Sequence, residues 1–351
     1  MKQNFSKISD YDYVVPKQLI AQRPLSRREE SRLLVLHRKD ASIEHKKFFE
    51  IIEYLHCGDV LVLNDTKVFH AKITGSKRTG GRVELLLIQK VKDNVWETLL
   101  KSNRKLKEND SIYFHDNSAE GKVLCKNESG SWNVEFSNEE EFADALVNGG
   151  MMPLPPYIKR SRENKELTAL DETRYQTVYA KNVGAIAAPT AGLHFSEELL
   201  GKITEKKITL VYVTLHVGLG TFKTIKEEDF TRHTMHKENY YISRQTIDAI
   251  LKAKSLGKKI FATGTTACRV LETVAQNGRL KEGSGWTDLF IYPPYNFKIT
   301  DSLLTNFHLQ RTSLLLLVSA FAGNETIRNA YESAIEQGYR FYSYGDCMLI
   351  I

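Results

Sequence analysis

Between residues 70 and 150 the sequence changes texture, and that change restricts the folds open to the whole chain. Short runs with alternating apolar residues follow one another: Val83-Leu85-Leu87, Val95 to Leu100, Ile112 to Phe114, Val123 to Cys125 and Trp132 to Phe136. Turn-forming residues separate them at Thr79-Gly80-Gly81, Asp93-Asn94, Glu108-Asn109-Asp110, Asp116-Asn117 and Ser129-Gly130. Evenly spaced short strands with this turn chemistry predict a small antiparallel barrel or sandwich. On both sides, strand-like apolar runs alternate with segments of helical period, the pattern of an α/β domain. Because that pattern resumes after the short strands, they read as an insertion. The expected organisation is an α/β domain with a parallel or mixed sheet, residues 1–68 and 151–351, interrupted by a small antiparallel domain over 69–150. A chain of 351 residues is long enough for two separate cores.

The stretch from Gly184 to Phe222 carries the densest signal. Two apolar runs each lead into Gly, Thr and His, with a helical interval between them. Ser196 suits a helix N-cap, Glu197 and Glu198 suit the first turn, and Leu199, Leu200 and Ile203 share a face. Ile208 to Val217 is β-branched and nearly all apolar, as expected of a strand covered on both faces. The spacing predicts a β-α-β unit with a His near the carboxyl end of each run, the edge where ligands of open parallel sheets collect.

Elsewhere, Ser31 to Leu36 and Val60 to Leu63 read as strands, and Phe48 to Leu55 as a helix stopped by Gly58. Ile247 to Leu256 predicts a helix capped by Gly257. Ile260 to Thr263 predicts a strand that turns through Gly264-Thr265-Thr266 into a helix bearing Val270, Leu271 and Val274. Asp288 to Tyr292 reads as a strand, Ser313 to Phe321 as a buried helix, and Asn324 as the cap of a last helix closed by Gly338. Residues 149–182 read as irregular.

Net charge is +6, which permits a nucleic-acid partner without requiring one. Cys57, Cys125, Cys268 and Cys347 show no CxxC or zinc-ribbon spacing, so four reduced, mostly buried thiols are expected. Met1 to Tyr13 lacks the apolar core of a signal peptide. The most apolar run, Leu314 to Ala322, is about half the length that crosses a bilayer. A cytoplasmic protein is expected.

Several constellations are able to carry chemistry. Backbone N–H groups of the Gly264-Thr265-Thr266 turn point at whatever approaches the helix, and Arg269 follows closely. The turn is neither a Walker loop nor a dinucleotide fingerprint. His194, His216, His236 and His308 sit at strand ends or beside small residues, where one or more is a candidate base. His233 and His236 are three apart, but with no third ligand in view no metal is expected. Asp65, after the Val60 strand, suits either a turn or a contact to a ribose hydroxyl. Arg23, Arg27, Arg28 and Arg32, and Lys159, Arg160 and Arg162, are either solvated faces or phosphate contacts. Tyr157, Tyr175 and Tyr179 lie near enough in sequence to offer stacking to unpaired bases.

Eleven stretches taken together resemble the S-adenosylmethionine:tRNA ribosyltransferase-isomerase family of queuosine biosynthesis. They are Asp10 to Gln22 (through Tyr13, Pro16 and Leu19), Gly58 to Val68, Thr79 to Glu84, Met152 to Ile158, Arg174 to Tyr179, Ala188 to Phe195, Thr214 to Gly218, Gly264 to Thr266, Asp288 to Tyr295, Thr305 to Leu309, and Tyr344 to Asp346. One departure is Gln310-Arg311-Thr312, where the family usually has Pro after Leu309. The resemblance implies a monomeric enzyme with a small β-barrel inserted in an α/β domain. It implies S-adenosylmethionine as a ribosyl donor, no metal, and as acceptor a tRNA bearing 7-aminomethyl-7-deazaguanine at the wobble position. Within it, His194, His216 and Asp65 are the expected catalytic residues, and Gly264, Thr265, Thr266 and Arg269 the expected holders of the methionine end. Tyr157, Lys159, Arg160 and Arg174 are the expected tRNA contacts. Judged on residues alone, two other classes stay open: a non-catalytic RNA-binding protein and an S-adenosylmethionine-dependent RNA methyltransferase.

Overall fold

A computed structural model describes residues 6–114, 118–160, 164–276, 278 and 280–351. The turn expected at Asp116-Asn117 and the basic residue Arg162 lie outside them. The chain divides into two compact units, one of residues 1–67, 155–159 and 176–351 and the other of 68–154 and 160–175.

Nine strands of the first unit form one mixed sheet. Their spatial order is Gly283–Thr287, Glu238–Ile242, Thr209–Leu215, Val60–Asn64, Ile260–Thr263, Ser302–Asn306, Cys347–Ile350, Arg32–Leu36 and Ile43–Lys47. The four from Thr209–Leu215 to Ser302–Asn306 are mutually parallel. Two aspartates, the buried Asp59 and the part-exposed Asp301, fix their register at the amino ends. The Asp59 carboxylate accepts from the backbone N–H groups of His56 (2.8 Å) and Lys259 (2.9 Å), and the Asp59 carbonyl accepts from Thr209 (2.9 Å). Asp301 accepts from the Ile260 N–H at 2.8 Å. Val60 consequently lies opposite both Thr209 and Ile260. Strands that start level end level, so Asn64, Leu215, Thr263 and Asn306 bring four carboxyl ends to one edge.

Alternation along each strand feeds two cores. Val60, Val62, Val211, Val213, Leu215 and Ala262 pack with the helices Arg244–Ser255, Gly264–Val274, Ser313–Ala322 and Asn324–Glu336. Leu33, Val35, Leu61, Leu63 and Phe261 face the opposite way, onto Leu199, Leu200 and Ile203 of the helix Glu197–Glu205 and onto Phe48 and Ile51. Ser196 caps that helix through its Oγ, which accepts from the Leu199 N–H (3.1 Å). Among the described residues no helix is long and apolar enough to cross a membrane.

The structure corrects several expectations. The apolar run after Gly184 is no strand of the main sheet: Asn182–Ala185 pairs with the short strand Thr66–Val68 in a separate two-stranded sheet. Thr209–Leu215 instead runs parallel to Val60–Asn64, so the expected β-α-β unit closes through a strand far back in the sequence. Phe48–Tyr54 is a 3-10 helix, whose three-residue turn stacks Phe48 directly on Ile51. The strand near 288 is Gly283–Thr287, an edge strand with little apolar character, while residues 288–292 run without ladder pairing into Pro293. Gly323, at φ 90°, is the N-cap of the last helix, and Asn324 is its first residue. Two cysteines, Cys57 and Cys125, are exposed rather than buried.

The second unit contains a closed six-stranded barrel, in the order Trp132–Phe136, Val95–Ser102, Arg82–Lys92, Lys72–Lys77, Ser111–Phe114 and Ala119–Lys126. Two helices belong to it that the sequence reading lacks. Lys165–Arg174 lies in the stretch read as irregular; it is capped by Asn164 and too polar to show a stripe. Glu139–Gly149 is capped by Asn138, whose Oδ1 accepts from Glu140 and Glu141, and three acidic residues fill its first turn. Its Phe142 stacks on Phe136, ring centroids 3.4 Å apart, and meets Phe114 edge-on at 5.7 Å. This helix therefore contributes an aromatic plug to the barrel core. Phe142→Ala should destabilise the barrel unit by about 3 kcal/mol, read by denaturant titration; a loss under about 1 kcal/mol would contradict the plug.

Candidate functional site

Each of the four parallel strands delivers polar residues at its carboxyl end. Val60–Asn64 leads to Asp65 and Thr66, Thr209–Leu215 to His216, Ile260–Thr263 to Gly264, and Ser302–Asn306 to His308. Two recesses open there, and they take some of the expected site residues: Asp65 and His216 line one, Gly264, Thr265, Thr266 and Tyr157 the other.

The larger recess, about 820 Å³, is nucleoside-sized. Asp65 and His216 line it with Tyr179, Asn182, Tyr212, Thr214 and Tyr241. The buried Asp65 carboxylate accepts from Thr214 Oγ1 at 2.6 Å and from Asn182 Nδ2 at 3.0 Å to each oxygen. Asn182 Nδ2 also reaches Thr214 Oγ1 (2.9 Å). This triangle orients the carboxylate, which has no ion pair among the described residues. His216 bonds through Nδ1 to Thr66 Oγ1 at 2.9 Å. Burial lowers its pKa, against the opposing pull of Asp65, so it is a neutral imidazole able to take a proton near pH 7. Gly184, at φ 155°, lies against the ring, where any Cβ would come within 2.7 Å of Nδ1.

The smaller recess, about 40 Å³, is lined by Gly264, Thr265, Thr266, Thr305, Asn306 and His308, with Tyr157, Val217 and Tyr342. The helix Gly264–Val274 starts here with φ 85° at Gly264, and among the described residues no side chain caps it. His216 and Val217 are consecutive, so the two recesses flank one strand end.

His194, the other expected base, lines neither recess. It is 4% exposed, with Nδ1 2.7 Å from Ser31 Oγ and Nε2 3.3 Å from Asn306 Nδ2. Burial, reinforced by Arg340 and Arg28, lowers its pKa to about 3. Its surroundings favour the neutral imidazole. His308 is likewise buried, with Nε2 2.6 Å from Thr305 Oγ1 and a pKa lowered by burial to about 3.

Arg269 is turned away from the smaller recess. Five residues after Gly264, it sits about 140° around the helix from it, where its Nη1 pairs with the buried Glu238 and its Nε donates to the Leu289 carbonyl (3.2 Å). Glu238 also accepts from the Gly218 N–H at 2.8 Å. Two of the three guanidinium nitrogens are thus engaged within the fold, while Nη2 is buried with no partner among the described residues.

The expected tRNA contacts fall in both units. Tyr157 is anchored inward, its hydroxyl 2.6 Å from Ser343 Oγ and its ring 4.9 Å from Tyr342. Lys159 is exposed. Arg160 belongs to the barrel unit, where Nε and Nη2 donate to the Asp171 carboxylate at 2.5 and 2.8 Å. Arg174 ends the helix Lys165–Arg174 in the same unit. Tyr175 is fully buried, so it offers no face for stacking. Arg27 pairs with Glu29 (3.0 Å), and the Arg32 guanidinium lies over the Tyr339 ring at 3.9 Å. His233 bonds Glu227 (3.3 Å) and His236 approaches Lys223 (3.4 Å). Among the described residues no three His, Cys, Asp or Glu side chains are grouped to hold a metal. Sequence reasoning missed Asn306, Asn182 and Thr214. The Thr305 to Leu309 motif contained the signal for Asn306, but only His308 in it has a side chain that titrates.

Two neutral buried imidazoles make the α/β unit acid-sensitive. In the unfolded chain a histidine binds a proton near pH 6.5, whereas His194 and His308 do so only near 3. The unfolded state therefore holds more protons between those values. Stability is fully present above about pH 6.5 and falls as pH drops, by up to about 1.4 kcal/mol per pH unit for each histidine. Chemical denaturation from pH 7 to 5 should show this slope, and His308→Gln should flatten it; an unchanged slope in that variant would contradict the assignment.

Comparison with known proteins agrees with this architecture. A family model described as a queuosine biosynthesis protein matches residues 8–350. Curated relatives from two strains of Clostridium kluyveri, both named S-adenosylmethionine:tRNA ribosyltransferase-isomerase, are 47% identical over 346 residues, 98% of this chain and 99% of theirs. The crystal structure of S-adenosylmethionine tRNA ribosyltransferase from Thermotoga maritima is 34% identical and covers 97% of this chain and 100% of that one, with a TM-score of 0.56. From the nine-stranded sheet to the inserted barrel, and across all but a few terminal residues, this chain belongs to the queuosine biosynthesis protein family.

Proposed function

We propose that this chain transfers and isomerises the ribosyl group of S-adenosylmethionine onto the aminomethyl group of 7-aminomethyl-7-deazaguanine at the wobble position of a tRNA. The products are epoxyqueuosine in the tRNA, adenine and methionine. S-Adenosylmethionine is a substrate here, the ribosyl donor, and the enzyme works as a cytoplasmic monomer. The observation that carries this reading is the Asp65–His216 cluster facing a nucleoside-sized cavity in a chain of this family.

The reaction makes three demands. The sulfonium acidifies the adjacent C5′ hydrogens, and a base must remove one. Adenine must depart, with hydrogen bonds or a proton supplied to its ring. The acceptor amine must be neutral to attack carbon. His216, neutral and partly exposed in the larger cavity, is suited to take or return a proton. Asp65, held by Asn182 and Thr214, is suited to orient a ribose hydroxyl. Tyr179, Tyr212 and Tyr241 offer aromatic faces to a base. The smaller recess takes the methionine end at Gly264, Thr265 and Thr266. Lys159 is the exposed cation of this unit that the reading keeps for the tRNA backbone.

The test is single-turnover adenine release with S-adenosylmethionine and tRNA carrying the modified base. His216→Ala should slow release by about 100-fold or more, and Asp65→Asn should slow it too. Ribose label should enter the RNA. Unchanged release in the folded double variant, or methyl label in the RNA instead, would contradict the reading.

A further inference from the structure

The smaller recess holds polar groups that the fold leaves unanswered. The helix Gly264–Val274 begins buried and uncapped, although the free N–H groups of a helix start ordinarily find an acceptor. Thr266 Oγ1 lies in the space left by the missing side chain of Gly264, 3.4 Å from where a Cβ would stand, and has no partner among the described residues. Asn306, which also lines the recess, is 2% exposed and its Oδ1 likewise lacks a partner among the described residues.

The orientation of that amide is determined. Asn306 Nδ2 faces three acceptors: the Tyr342 carbonyl at 3.1 Å, the Asp346 carbonyl at 3.4 Å and His194 Nε2 at 3.3 Å. Flipping the amide would set its oxygen against two carbonyl oxygens. Tyr342 adopts φ 71°, a left-handed conformation unusual for a tyrosine, at the carbonyl that receives this amide. His194 is the right kind of acceptor because it stays neutral. Ser31 Oγ donates to the Arg28 carbonyl (3.3 Å), so it receives the Nδ1 proton of His194 and leaves Nε2 as a lone pair. The chain Ser31–His194–Asn306 thus holds an acceptor oxygen, Asn306 Oδ1, in the recess where the uncapped helix start presents its donors.

Unanswered donors and an unanswered acceptor in one recess match a zwitterion. We propose that this recess recognises an α-amino acid head group, with its carboxylate at the N–H groups and hydroxyls of Thr265 and Thr266 and its ammonium on Asn306 Oδ1. His194 is a positioning residue for Asn306. The recess volume of about 40 Å³ has room for roughly three waters, the size of such a head group and too small for a nucleoside. The proposal rests on the functional reading above, in which the amino acid is the methionine end of S-adenosylmethionine.

Calorimetric titration of the full chain with two probes tests it: S-adenosylmethionine and its analogue lacking only the α-amino group. Wild-type protein should bind S-adenosylmethionine about 10- to 100-fold more tightly than the analogue, the range for a hydrogen bond to a charged group. Asn306→Leu should lower S-adenosylmethionine affinity to the level of the analogue and leave the analogue's affinity unchanged. His194→Ala should erode the same ratio, and His194→Gln, whose side-chain oxygen is again an acceptor, should restore part of it. Equal weakening of both probes in Asn306→Leu would make Asn306 merely structural. Equal wild-type affinity for the two probes, which needs no variant to fold, would overturn ammonium recognition while leaving donor binding intact. Wild-type protein that binds neither probe would overturn the functional reading as well, which separates the two failures.

Discussion

The site depends on a single constraint, the common register of four parallel strands. Asp59 and Asp301 tie the starts of these strands to one another through backbone N–H groups. Because parallel strands of similar length then finish together, Asp65, His216, Gly264 and Asn306 arrive at one edge from positions spread over more than 240 residues. None of these residues needs a sequence neighbour to complete it. Each is positioned by the strand that precedes it, and the strands are positioned by buried ladders that water does not reach. A shift of one residue in any of the four would send its terminal side chain to the opposite face.

Within that edge, burial decides which histidine does what. Four histidines were candidates for acid–base work, and their surroundings sort them. His194 and His308 are enclosed, bonded through ring nitrogens to Ser31, Asn306 and Thr305, and held neutral far below the usual imidazole range. His216 keeps partial exposure and has a carboxylate in the same cavity. His236 lies near a lysine outside both recesses. Arg269 shows the same logic for charge. A guanidinium close in sequence to a helix start is a natural partner for a carboxylate, yet helical rotation carries it to Glu238 inside the protein.

Much of this was legible beforehand, for physical reasons. Long β-branched runs such as Val60 to Leu63 and Ile260 to Thr263 have few places to go except the middle of a sheet. Ser196 and Gly257 act locally, so their capping roles survive any tertiary context. The alternating runs of the barrel announce themselves by period. What stayed hidden depends on contacts between distant residues. The pairing of Asn182–Ala185 outside the main sheet leaves no local trace, and neither does the preference of Thr209–Leu215 for Val60–Asn64. Asn306 looked inert because its amide does not titrate; its significance comes from the Tyr342 and Asp346 carbonyls that turn it. The helix Lys165–Arg174 was missed because so polar a segment shows no apolar stripe.

The central claim is that the donor nucleoside binds at the carboxyl ends of these four strands, with its amino-acid end on the Gly264–Val274 helix. Amide hydrogen exchange of the full chain, with and without saturating S-adenosylmethionine, tests it most directly. The account predicts slowed exchange in peptides covering Gly264 to Ala267 and Thr305 to Leu309, and around Asp65 and His216. Protection confined to other parts of the chain, with these segments unchanged, would contradict it.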